Sequence, residues 1–228
     1  MRCTTFMISC PERGAIRKRT LASLASSDWT DIPTLILDES TGEPSLARIQ
    51  HNWRRALAQA ARATTELVLL LEDDLVFCRH LARNLFSWPI LHGQHPGRAL
   101  YGSLYDPGHS FLRKSDTERY RAIHPCAMWG SQAIVMTPQT ARFIDQNWDS
   151  GKENCDLRMP RLVSSITTIY AHVPSLVEHA DAPTTWGGFT HRALEFDPEW
   201  LAPSAADNDE PTKVEVASQL PRTRKPLR

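Results

Sequence analysis

The sequence lacks any run approaching the roughly 18 apolar residues that a membrane-spanning helix needs. Its opening, Met1-Arg2-Cys3-Thr4-Thr5, lacks the apolar core and small-residue cleavage site of a signal peptide. A cytoplasmic protein with no membrane span is the expectation. The five cysteines (Cys3, Cys10, Cys78, Cys126 and Cys155) are odd in number and scattered without a C-x-x-C pair. That pattern signals neither a disulfide framework nor a zinc knuckle, and reduced thiols are the simplest reading. Neither sign of charge is in excess, with 26 basic and 26 acidic residues. From Pro211 onward, however, Lys213, Arg222, Arg224, Lys225 and Arg228 face only Glu215, which leaves the rest of the chain net negative by four. A body of that sign argues against a nucleic-acid clamp. There is no internal repeat.

What is present suits a cored domain. With 228 residues, 41% of them hydrophobic, the chain is long enough for one domain, expected over residues 1–200 and followed by an irregular or disordered basic tail over 201–228. Apolar runs alternate with segments of helical period, the pattern of an α/β layer fold. Strands are expected at Thr4–Cys10, Thr34–Leu37, Leu67–Leu71, Ala99–Leu104 and Thr167–Val173, with an extended stretch over Ile123–Met136. Helices are expected after Gly14, over Leu46–Ala63 behind a Ser45 N-cap, over Val76–Trp88, from Pro138 to Trp148, and over Leu157–Ser165. Tyr105–Arg119 reads as a loop able to act as a lid.

The third apolar run, Leu67–Leu71, leads straight into Glu72-Asp73-Asp74. An all-apolar run is the signature of a strand buried on both faces, so three carboxylates are delivered together to its carboxyl end. There they repel one another and lose solvation, and a divalent cation would compensate. Open α/β sheets bind ligands beyond the carboxyl ends of their strands, and hard oxygen ligands suit magnesium or manganese. The plainer alternative is that Asp73 or Asp74 caps a following helix.

In this setting the sequence resembles the GT-A family of nucleotide-sugar glycosyltransferases over roughly residues 4–190. The resemblance implies a GT-A-like, Rossmann-like α/β fold: a mixed, mainly parallel central sheet flanked by helices in a single domain. Its nucleotide-binding half would span about 1–104 and its acceptor side about 105–200. It implies a transferase using Mn2+ or Mg2+ and a nucleoside-diphosphate sugar, with a UDP-sugar favoured. Ser9, Pro11, Glu12 and Arg13 in the loop after the first strand, and Asp38 after the second, would hold the nucleotide. The acidic motif departs from strict D-x-D by opening on glutamate; Glu72 and Asp73 are assigned to the nucleotide-sugar and Asp74 to the metal.

Further along, Trp129-Gly130-Ser131-Gln132-Ala133-Ile134-Val135-Met136 resembles the family's segment over the donor sugar, with Trp129 and Gly130 near the ligand. Packing of the Trp129 indole in a core strand is the competing reading. Asp156 is the candidate base of an inverting transfer, with Glu153 its competitor; Asp156 is equally a plausible helix N-cap. Pro174-Ser175-Leu176-Val177-Glu178-His179 resembles a closing segment whose histidine, His179, completes a metal shell, and a hydrogen-bonded structural histidine is the alternative. Thr184–Gly188 could form a flap. Arg17, Lys18 and Arg19 are expected to be solvated helix surface.

Two other enzyme classes fit less well. A sugar-nucleotide pyrophosphorylase would carry a glycine-rich loop after Cys10, and a haloacid-dehalogenase phosphatase would carry its aspartate after the first strand. The non-enzyme alternative is a catalytically inactive carbohydrate-binding or interaction protein of the same fold, with the seven tryptophans serving recognition. Acceptor identity (glycan, protein or modified nucleic acid) and oligomeric state are not encoded in any motif here.

Overall fold

The computed structural model describes residues 1–40, 46–93, 98–108, 111–113, 119–126, 128, 130–151, 153–182 and 192–203. In chain order the strands are β1 (Cys3–Ser9), β2 (Thr34–Leu37), β3 (Leu67–Leu71), β4 (Leu75–Phe77), β5 (Tyr101–Ser103), β6 (Phe111–Arg113), β7 (Tyr120–Ile123), β8 (Ala133–Met136), β9 (Ile169–His172) and β10 (Val177–His179). The helices are α1 (Gly14–Ala25), α2 (Leu46–Ala60), α3 (Leu81–Phe86), α4 (Pro89–His92), α5 (Pro138–Asn147) and α6 (Cys155–Val163).

Eight strands form one sheet in the order β2-β1-β3-β8-β5-β9-β7-β6. Only β7 and β8 run against the rest, so the sheet is mixed but mainly parallel in direction. Helices cover both faces. Along β3 the side chains alternate: Val68 and Leu70 pack with Trp53, Leu57, Ile144 and Met159 from α2, α5 and α6. Leu67, Leu69 and Leu71 pack with Leu24, Leu81 and Leu85 from α1 and α3. Every residue of β3 is therefore buried, which is why the strand carries no polar residue until it leaves the sheet.

The expected α/β class, and most expected elements, are present. The segment Val76–Trp88 is a correction. Instead of one helix it forms β4, pairing antiparallel with β10, and then the short helix α3. Leu75 and Phe77 face inward while Val76 is exposed, a period-2 pattern only three residues long. The helix that follows is started from far away, because the Asp28 carboxylate accepts the backbone N–H groups of Ala82 and Arg83. Of Ile123–Met136, only Ile123 at the end of β7 and Ala133–Met136 in β8 are strand among the described residues. Of the expected lid, Tyr105 and Asp106 are buried and β6 pairs with β7, while 109–110 and 114–118 lie outside the described residues. The Ser45 cap, the 184–188 flap and the tail from 204 onward also lie outside them. Chain entering the tail is anchored: Asn84 Nδ2 donates to Trp200 O and Ala202 N donates to Asn84 Oδ1.

Candidate functional site

The three parallel strands β1, β2 and β3 release their chains at the same edge of the sheet, and short polar contacts tie the three exits together. Asp38 N donates to Ser9 O, joining the ends of β2 and β1. Asn52, the one buried polar residue on the apolar face of α2, donates through Nδ2 to both Ser9 O and Ile36 O. Thr20 of α1 locks the third exit: its hydroxyl donates to Asp73 O and accepts from Leu75 N. The backbone through the acidic motif is thereby held without a helix cap, and the capping alternative for Asp73 and Asp74 falls away because β4, not a helix, follows.

Both aspartates turn inward and are buried. Asp73 Oδ2 accepts from Ser9 Oγ, and Asp73 Oδ1 lies 2.7 Å from Arg13 Nε. Asp74 Oδ2 lies 2.5 Å from Arg13 Nη2. Arg13 sits at the end of a short 3-10 helix, Pro11–Arg13, entered through the proline and continued directly by α1. Burial alone would make its guanidinium costly, but Asp73 and Asp74 outweigh that and raise its pKa. For Asp73, burial dominates and lifts the carboxyl above its ordinary value, against the pull of Ser9 and Arg13.

One oxygen is left over. Asp74 Oδ1 is buried with no hydrogen-bond partner among the described residues, a condition that costs free energy unless a ligand supplies the missing contact. The antiparallel register of β4 and β10, His179 opposite Leu75, delivers His179 to the same carboxylate, with Nε2 3.4 Å from Asp74 Oδ2. His179 Nδ1 lies 3.0 Å from Ala180 O. A carbonyl can only accept, so Nδ1 carries a proton and Nε2 is the ring nitrogen left facing the carboxylate, available as a ligand in the neutral ring. Backbone-fixed Nδ1 with a bare Nε2 is the arrangement of metal-ligating histidines. Asp74 and His179 thus fit a Mg2+ or Mn2+ that takes its remaining ligands from phosphate and water. Among the described residues no cluster of three or more potential ligands occurs.

Glu72 points elsewhere. Ser131 Oγ is 2.7 Å from Glu72 Oε1 and 3.0 Å from Asp156 Oδ1, so one hydroxyl joins the acidic motif to the start of α6. Burial, then the charges of Asp74 and Asp156, push the Glu72 carboxyl up to about 8. Gly130, with φ of 72°, makes the turn that presents Ser131, and a Cβ there would collide with the Gln132 side chain. Asp156 lies in the first turn of α6, whose N-cap position is held by Asn154, so Asp156 is not the cap. Its carboxylate is half-buried and also faces the Cys155 thiol. Glu153 pairs instead with Arg161.

Just after β2, Asp38 accepts from Ser40 through Oδ1 and from Arg48 Nε at 2.7 Å through Oδ2. Although burial opposes it, these contacts hold the carboxyl below its ordinary value. Pro11 and Glu12 are exposed on the loop, with Glu12 3.9 Å from Arg48 Nη2. The structure therefore brings together Ser9, Arg13, Asp38, Glu72, Asp73, Asp74, Asp156 and His179 from the expected set, with Gly130 in support. Trp129 lies outside the described residues.

Sequence reasoning missed Ser131, Arg48, Asn52 and Thr20, and Arg17 is a correction. Rather than solvated surface, Arg17 donates through Nη1 to Ser9 Oγ and Cys10 O. Its place four residues after Arg13 was the available signal. Four tryptophans, Trp29, Trp53, Trp88 and Trp148, are core residues, which removes them from any sugar-recognition surface.

No family model matches the sequence, and no curated protein was found similar to it. Among solved structures it is similar to the glycosyltransferase GlyE of Streptococcus pneumoniae TIGR4, at 8% identity and a TM-score of 0.48, over 85% of this chain and 59% of that one. It is also similar to a glycosyltransferase involved in glycosylation of the major capsid of PBCV-1, at 11% identity and a TM-score of 0.44, over 80% of this chain and 95% of that one. Among the described residues no helix is long and apolar enough to cross a membrane.

Proposed function

We propose that this chain is a metal-dependent glycosyltransferase that moves a sugar from a nucleoside-diphosphate sugar, a UDP-sugar in preference, to an acceptor hydroxyl with inversion. The observation that carries the reading is the buried Asp74 carboxylate at the exit of the all-apolar strand β3, with Oδ1 lacking a hydrogen-bond partner among the described residues and Oδ2 3.4 Å from His179 Nε2. Asp74 and His179 would hold Mn2+ or Mg2+, which when bound neutralises charge on the departing nucleoside diphosphate. Asp38, Arg48 and the Ser9–Arg13 loop line the nucleotide side.

On the acceptor side, Asp156 accepts the proton of the attacking hydroxyl as the new oxygen–carbon bond forms and the bond from anomeric carbon to phosphate oxygen breaks. Ser131, whose hydroxyl lies within hydrogen-bond distance of both Asp156 and Glu72, orients the Asp156 carboxylate. Donor hydrolysis in the presence of manganese tests the reading: turnover in the wild type that disappears in Asp74→Ala supports it. Tight sugar binding with no hydrolysis in either protein would favour a binding module instead.

A further inference from the structure

Arg13 already occupies part of the place a divalent cation would take. Its guanidinium reaches two carboxylates at once, Asp73 Oδ1 through Nε and Asp74 Oδ2 through Nη2, and only 13% of its side chain is exposed. The same Asp74 Oδ2 faces His179 Nε2 at 3.4 Å. Two positive groups cannot share that oxygen at close range without strong repulsion in a desolvated site.

We propose that Arg13 is an internal counter-ion that is exchanged for the metal: it neutralises Asp74 in the metal-free chain and is released from it when a divalent cation binds Asp74 and His179. The inference rests on the reading of those two residues as metal ligands. The two contacts of Arg13 are separable, because Nε can keep Asp73 while the Nη end turns away from Asp74. Once turned, that end carries a positive charge with planar donors suited to phosphate oxygens. Arg13 also stands in the loop that leaves β1, on the nucleotide side of the site.

The consequence is a coupling between cation and nucleotide. Metal alone must break the contact between Arg13 Nη2 and Asp74 Oδ2 and brings no phosphate in exchange. Metal with a nucleoside diphosphate releases Arg13 into a favourable contact, so each ligand strengthens the other, and by linkage the two effects are equal.

The test measures Mn2+ binding directly, by the EPR signal of free Mn2+, with and without UDP, in wild type, Arg13→Gln, Arg13→Lys and Asp74→Asn. Arg13→Gln should bind Mn2+ alone at least about fivefold more tightly than wild type, while the strengthening by UDP seen in wild type shrinks toward none. Arg13→Lys, which keeps the charge but cannot bridge both carboxylates, should fall between and carries the test if the glutamine variant does not fold. Wild type that binds Mn2+ with UDP through Asp74, while both Arg13 variants bind Mn2+ alone no more tightly than wild type, overturns the exchange and leaves the metal reading standing. Absence of Asp74-dependent Mn2+ binding in any of the proteins, with or without UDP, sinks both.

Discussion

His179 Nε2 lies 3.4 Å from Asp74 Oδ2, although the two residues are far apart in the chain and meet because β10 pairs with β4. The pairing supplies a ring nitrogen and a carboxylate at one point, and the carboxylate's other oxygen has no hydrogen-bond partner among the described residues. His179→Ala should therefore weaken Mn2+ binding in the presence of UDP by about 10- to 100-fold, comparable with loss of a metal-site group. Equilibrium binding followed by EPR checks this; unchanged affinity would reduce His179 to a structural residue.

Asp156 and Ser131 form the acceptor-side pair. Asp156→Asn should lower kcat by about 100-fold or more, the usual range for loss of a general base, with little change in the donor KM. Ser131→Ala removes the hydroxyl that sets the carboxylate's position and should lower kcat less, by about tenfold. Steady-state kinetics of transfer or donor hydrolysis separate these; a change confined to KM in both variants would contradict the assignment. An NMR assignment of the product anomer tests inversion itself.

Buried His172 should make the fold acid-sensitive. Its ring lies between Trp88 and Trp200, with Nδ1 2.7 Å from Pro174 O. Burial, partly offset by that carbonyl, depresses its pKa from 6.5 to about 3. The unfolded chain then binds a proton that the folded chain refuses, so stability is unaffected above pH 6.5 and falls as the pH drops from there toward 3. The slope is about 1.4 kcal/mol per pH unit from this residue. Urea unfolding at several pH values should show His172→Phe less stable at neutral pH but with a slope shallower by about one proton; identical slopes would refute it.

Gly102 in β5 has no room for a side chain. A Cβ there would come within 2.7 Å of the Trp88 ring and 3.2 Å of Val135. Gly102→Ala should cost about 1–3 kcal/mol, read as a drop in thermal midpoint with the circular dichroism spectrum otherwise retained. A midpoint equal to wild type would mean that Trp88 is free to shift.

The legible part of this fold was the part written in local patterns. Leu67–Leu71 and Thr34–Leu37 were readable as strands to the residue, because apolar runs with sharp polar ends leave no ambiguity of period. The position of Glu72-Asp73-Asp74 followed from that strand. The Val76–Trp88 segment was not legible, since its helix is started by Asp28 from elsewhere in the chain and its strand depends on β10. In the site the same division holds. Arg13 and Asp38 sit in loops directly after strands, whereas Ser131 acquires meaning only when β8 runs beside β3 and places it against Glu72. Arg17, in the first turn of α1, was legible from its place four residues after Arg13.

If Asp74 and His179 hold a cation for a nucleoside-diphosphate sugar, a donor screen by thermal shift will show it. At a concentration about 100 times its Kd, a UDP-sugar with Mn2+ should contribute about 2.7 kcal/mol and raise the wild-type midpoint by about 5–10 °C. Neither ligand alone should do so, and Asp74→Asn should lose the joint shift. A donor shift of the same size without any divalent cation, or one preserved in Asp74→Asn, would contradict it.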